Sequence, residues 1–210
     1  MKKFFSKENK FTSFFLNVAD LMILNVLTLI CSLPIITIGV SYTAMHYVLT
    51  KWDDDKSVAR DYFSAWKNNF RQATILWVIY LIAFGIILLD FYLMEEFLLG
   101  TNTVYTYVMI AIEIILAFAL TWTFILQSRY ENTILQTIRN SLILGVTQLK
   151  YTVGIVALYI LPFVIVYFIP HAIPVFFLLG IATAGFFQRK LYRKVFEKIE
   201  NQNEDDKQNH

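Results

Sequence analysis

The chain has 210 residues, of which 57% are hydrophobic, 17% aromatic and only 16% charged, with a mean hydropathy of +0.55. Too few polar side chains remain to cover a globule in water, so disordered, coiled-coil and ordinary soluble classes are excluded and the bilayer is the expected solvent. A net charge of +2 offers no footprint for nucleic acid, and the single Cys excludes an intramolecular disulfide or a Cys-based zinc site.

A helix crosses the roughly 30 Å hydrocarbon core in about 20 residues. Five regions free of Lys and Arg are candidates: Phe14 to Thr50, Ala73 to Met94, Tyr105 to Leu126, Tyr151 to Ile169 and the shorter Ile173 to Phe187. The first is too long for one ordinary crossing and holds Pro34 and Gly39 where a helix can break, so it reads as two spans or as one span plus a re-entrant segment. Its length, its Asn17, Asp20 and Asn25, and the lack of a small-residue cleavage site set it apart from a signal peptide.

Lys and Arg stay on the cytoplasmic side in short loops. Four lie in the N-terminal tail (Lys2, Lys3, Lys7, Lys10), five between Lys51 and Arg71, three between Gln127 and Lys150, and six after Phe187, which accounts for all 18. The tip near Pro34, the loop from Glu95 to Val104 and the turn at His171 have none. The economical expectation is an all-α polytopic membrane protein with cytoplasmic termini, built from three helical hairpins: Phe14 to Thr50, Ala73 to Leu126 and Tyr151 to Phe187. Residues 1–200 form one integral membrane domain of five to six membrane segments, and 201–210 a disordered polar tail.

Each hairpin is followed by apolar residues at four-residue spacing: Val58, Tyr62, Trp66, Phe70; Ile134, Ile138, Leu142, Val146; and Leu191, Val195, Ile199. Basic residues surround the first and third sets, so all three are expected as amphipathic helices in the cytoplasmic interface. Ser57, after Asp53, Asp54 and Asp55, is a candidate cap for the first. Pro34 is followed by Thr43-Ala44 at the same distance as Pro174 by Thr183-Ala184, which reads either as an echo between the first and third hairpins or as coincidence.

Glu113 falls near the middle of its span, where a carboxylate must be neutral, paired or facing water. It reads as a cation- or proton-linked site, or as a neutral group that locks helix packing. Asp20 projects with Asn17, Thr28 and Cys31 along one side of the first span, a polar seam expected to face protein as part of a substrate path or as interhelical hydrogen bonding; Asn25 is off that seam. Pro34 and Gly39 frame a broken-helix ligand site or a hairpin tip. Asp90, Glu95, Glu96 and His171 read as a solvated outer rim, and His46 as packed or interfacial. Tyr62, Phe63, Trp66 and Phe70 suit either docking to a partner or anchoring at the headgroups. Phosphate-loop, dinucleotide, hydrolase-elbow and zinc motifs are missing, so no enzyme, cofactor or metal site is expected.

The stretch Leu33-Pro34-Ile35-Ile36-Thr37-Ile38-Gly39, then Ser41-Tyr42-Thr43-Ala44 and Phe63-Ser64-Ala65-Trp66-Lys67-Asn68-Asn69-Phe70-Arg71-Gln72, resembles the YesL-like family of bacterial membrane proteins, a domain of unknown function. That resemblance implies the bacterial plasma membrane and association with carbohydrate uptake, including sugar ABC transporter subunits as partners. It supplies no catalytic residue. The expected function is a non-catalytic accessory or scaffold protein in contact with membrane lipid, with homo-oligomerisation open. The alternative is a small oligomeric transporter with Glu113 and Asp20 in its path.

Overall fold

The structure is a computed structural model that describes residues 10–53, 57–97 and 103–208. Lys2, Lys3 and Lys7 of the cationic leader, and Asp54, Asp55 and Lys56 of the first loop, lie outside the described residues, as do the side chains of Glu95 and Glu96. All regular structure among the described residues is helical: α1 (Lys10–Ser32), α2 (Ile38–Thr50), α3 (Val58–Phe97), α4 (Thr103–Arg129), α5 (Ile134–Thr147), α6 (Leu149–Phe168), the short α7 (Ile173–Val175) and α8 (Ile181–Gln208). A 3-10 turn, Ile35–Thr37, precedes α2, and a π-helical segment, Phe176–Gly180, joins α7 to α8. Five helices are long and apolar enough to cross a membrane, while Ile35–Thr50 is apolar but shorter. Together these make a multi-pass membrane protein.

Helices pair in chain order, α1 with α2, α3 with α4 and α6 with α8, and α2 becomes the hub. Nine of its 13 residues are buried, because α1, α3, α4 and α8 all pack around it. Its small and hydroxylated side chains permit that crowding. Ser41 and Thr43 donate to the carbonyls of Thr37 and Gly39, so their hydroxyls are satisfied inside their own helix. The tip beside it is apolar and exposed at Leu33, Ile35 and Ile36, which suits lipid better than water.

Two of the three expected interfacial helices are continuations of spans. No proline interrupts Val58–Phe97 or Ile181–Gln208, so helix propensity carries each through the change from polar to apolar sequence. The last helix runs on to Gln208, through residues expected as a disordered tail, with no proline or glycine there to stop it. Their apolar faces pack on protein: Val58, Tyr62 and Ala65 join the core around α1 and α2, and Tyr192, Val195 and Phe196 join a second core with Trp122, Ile125 and Ile155.

In α5, the one separate helix of the three, the expected face is turned. Thr137, Ser141, Leu144 and Gly145 are buried, whereas Val146 is exposed. Among hydrophobic surroundings small residues go inward, where they let helices approach, and branched apolar ones face outward. A Cβ on Gly145 would stand 3.2 Å from the backbone nitrogen of Ala119, which shows how closely α5 lies on α4.

Burial is uneven along the bundle. Beyond Tyr80 in α3, in the first half of α4 and beyond Ile155 in α6, large apolar side chains such as Ile82, Ile86, Val108, Ile112 and Ile160 are exposed. The packed interior lies where α1, α2 and the starts of α3 and α8 meet, and where the end of α4 meets α6 and the middle of α8.

Candidate functional site

Asp20 and Glu113 are each half-buried, and they are not brought together. Asp20 belongs to α1, which packs on α2, α3 and α8, whereas Glu113 belongs to α4, which packs on α2, α3, α5 and α6. Neither lines any of the described cavities. Among the described residues Glu113 has no hydrogen-bond or ion-pair partner, and its neighbours Ile112 and Ile114 are exposed.

The seam drawn through Asp20 does not face protein along its length. Asn17 is exposed and Cys31 half-buried, while Thr28 is buried with its hydroxyl on the Leu24 carbonyl. The residue that does face protein is Asn25, fully buried and outside that seam. Its Nδ2 donates to the carbonyls of Phe176 and Phe177 at 3.2 and 2.7 Å, and its Oδ1 accepts from the amides of Ile181 and Ala182 at 2.8 and 2.9 Å. In an uninterrupted α-helix the Ile181 amide would bond the Phe177 carbonyl. The Asn25 carboxamide stands between those two groups and serves both.

Pro34 and Gly39 shape a hairpin tip. Pro34 is extended (φ −73°, ψ 117°), and Thr37 closes the turn behind it by donating its hydroxyl to Cys31 and Pro34 carbonyls at 2.7 and 2.8 Å. Trp77 Nε1 reaches across from α3 to the Ile35 carbonyl at 2.7 Å. A Cβ on Gly39 would stand 2.7 Å from the Phe124 ring and 2.8 Å from Trp77 Cβ, so only glycine lets α2 lie this close to α3 and α4. These contacts account physically for the Leu-Pro-x-x-Thr-x-Gly pattern.

Of the four aromatics on the first loop helix, Tyr62 is buried in the bundle with its hydroxyl toward the Leu27 carbonyl at 3.5 Å. Trp66 is half-buried and its ring lies 4.8 Å from that of Phe70; Phe63 and Phe70 are exposed. Of the residues expected at the rim, Asp90 accepts from the Tyr105 hydroxyl and His171 is exposed.

His46 is packed. It sits at the centre of α2 with Nε2 2.7 Å from the Tyr159 hydroxyl and its ring 5.7 Å from that of Tyr192. Tyr192 also lines a cleft of about 400 Å3 where α2, α4 and α8 converge. Three arginines (Arg129, Arg189, Arg193) and three carboxylates (Asp53, Glu197, Glu200) wall it, with Thr50 beside Tyr192. Arg189 grips Asp53 with both terminal nitrogens. Arg193 lies 3.7 Å from Asp53 and 2.8 Å from Glu197, and Arg129 is 2.8 Å from Glu200. Arg129 also covers the Phe196 ring at 4.8 Å, and Tyr130 donates to Glu200 at 3.1 Å. Burial, ahead of the neighbouring Glu200, raises the Tyr130 pKa above the ordinary phenol value, while Arg129 opposes the rise.

That cleft is invisible as a sequence pattern, because its members come from a helix end, a loop and a basic tail helix far apart in the chain. Only the regular spacing of Arg189, Arg193 and Glu197 along α8 hints at a shared face.

Residues 21–91 match the family described as "Protein of unknown function, DUF624". The match runs from the second half of α1 through α2 and most of α3, and includes the hairpin tip, Trp77 and the loop helix. No curated protein and no solved structure matches the chain.

Proposed function

We propose that the protein is a non-catalytic accessory or scaffold component of the bacterial plasma membrane, serving a carbohydrate uptake system, with both termini cytoplasmic. The observation that carries the scaffold reading is the separation of Asp20 from Glu113 around a packed hub. A solute path through them would need one cavity lined by both, and α2 fills the space between the helices that bear them. The apolar side chains exposed on α3, α4 and α6 offer surface to lipid or to partner helices.

The link to carbohydrate uptake rests on the resemblance to the YesL-like family, and every residue of that resemblance lies within the matched stretch 21–91. On this reading Phe63, with Trp66 and Phe70 behind it, is the contact surface for a sugar ABC transporter subunit. Tyr62 is left out because it is spent inside the bundle. Photo-crosslinking from Phe63 in whole cells tests the proposal directly: capture of a sugar-transport subunit is expected, and labelling of lipid alone would count against it. Epitope tags at the two ends, scored for protease access in intact cells, check the orientation, and ends found in different compartments would refute it.

A further inference from the structure

We propose that the charged cleft between α2, α4 and α8 binds a phospholipid whose headgroup carries both a phosphate and a primary ammonium. The first observation is charge balance. Three arginines and three carboxylates share one cleft, so a ligand with a single sign of charge meets as many repelling as attracting groups, whereas a zwitterion can address both. The phosphate would take Arg193, whose contact with Asp53 is the looser one at 3.7 Å and whose planar fork suits phosphate oxygens, with Arg189 held by Asp53 beside it. The ammonium would take Glu197 and Glu200.

A second, independent observation points to a missing partner. Tyr192 is 1% exposed and lines the cleft, and its buried hydroxyl, with only the Thr50 side chain beside it, makes no well-formed hydrogen bond. A buried polar group without a partner is costly, and a phosphate oxygen in the cleft would accept from it.

A third observation distinguishes a lipid from a soluble zwitterion. Glu200 is shared between this cleft and an adjoining groove of about 420 Å3, lined largely by apolar side chains that include Leu126, Ile143, Leu144, Phe196 and Ile199. A charged chamber opening past one carboxylate into an apolar groove matches an amphiphile. The level is also right: α8 leaves its apolar span here and carries Arg189, Lys190, Arg193, Lys194 and Lys198, the residues expected at headgroup depth.

Purified protein in detergent would be titrated calorimetrically with three probes: dihexanoyl phosphatidylethanolamine, dihexanoyl phosphatidylglycerol and free phosphoethanolamine. Saturable binding of the first is expected, with the other two weaker by about tenfold, the size of one lost charge-assisted hydrogen bond. Tyr192→Phe keeps the ring, and Arg193→Gln alters a side chain that is 59% exposed, so both should fold. Each should weaken the lipid by about tenfold. Ile199→Ser should weaken the lipid and leave phosphoethanolamine unchanged. Equal or tighter binding of the glycerol lipid would overturn the zwitterion assignment, and equal binding of free phosphoethanolamine would overturn the lipid. No saturable binding, or binding indifferent to both Tyr192→Phe and Arg193→Gln, would overturn the site itself.

Discussion

The first and third hairpins meet the same difficulty, a proline near the turn of an apolar segment, and resolve it differently. After Pro34 the chain makes a single 3-10 turn whose carbonyls are met locally by Thr37 and laterally by Trp77, and α2 then runs unbroken. After Pro174 the helix does not settle: α7 lasts three residues, a π segment follows, and α8 starts only where Asn25 of α1 receives its amides. One return helix is short, self-sufficient and buried. The other is long, and its interruption is held by a side chain from the first hairpin. In lipid no water repairs an open backbone, so a broken helix must borrow its partners from a neighbour.

Removing the borrowed partner is the largest test. Asn25→Leu keeps the branched shape but removes the side-chain partner of the Phe177 carbonyl and of the Ile181 and Ala182 amides, leaving them whatever the π segment itself supplies. Each buried orphan costs about 1–3 kcal/mol, and part is recovered if the π segment tightens, so a loss of roughly 3 kcal/mol is expected. Unfolding in detergent measures it. Hydrogen exchange should speed up at Ile181 and Ala182, and a variant as stable as the parent, with both amides protected, would mean that the helix closes without help. Asn25→Asp sharpens the result, since it keeps the acceptor for the amides but loses the donor to both carbonyls.

The first hairpin should break through packing. At Gly39 the atoms nearest an added Cβ belong to an aromatic ring and to the first side-chain carbon of Trp77, neither of which can move as freely as the tip of a flexible chain. Gly39→Ala should cost about 1–3 kcal/mol by overpacking. At Gly185 the nearest atom is a Leu49 methyl, so Gly185→Ala should cost less. If the order were reversed, the close approach of α2 to α3 and α4 would not be what glycine is for. Thr37→Val, which removes a hydroxyl from two turn carbonyls while the backbone bond to Pro34 survives, should cost about 1 kcal/mol by the same unfolding measurement.

Apolar run length made the spans and the pairing of α1 with α2, α3 with α4 and α6 with α8 readable, because bilayer thickness converts directly into a count of residues. What escaped was whatever depends on a partner distant in sequence. Asn25 was off the polar seam because its partners are backbone groups about 150 positions away, which have no side-chain signature. The α5 face was misread because apolar periodicity marks the inward side in water, whereas Thr137 and Ser141 are the inward residues here. Composition sets the loop and tail helices apart from the spans that begin at Ala73 and end at Phe187, yet no proline stands at either boundary to stop a helix. The charged cleft escaped because Asp53, Arg129 and the α8 residues read as separate solvated charges until the fold joins them.

Glu113 gives the smallest expected effect and therefore the sharpest contrast with Asn25. Both are polar residues in the apolar half of a helix, but Asn25 has four hydrogen bonds to the interrupted helix, whereas Glu113 has none among the described residues and sits between exposed isoleucines. A group that holds nothing in the folded chain loses nothing when its charge is removed, so Glu113→Gln should change stability by less than about 0.5 kcal/mol, as for surface positions without a specific partner. In a reconstituted uptake assay the same substitution should leave flux unaltered. A drop in flux at unchanged stability would move Glu113 into a translocation path and favour the transporter reading over the scaffold. A drop in stability would instead point to a partner for its carboxyl on a second copy of the chain, because the described residues of a single copy supply none.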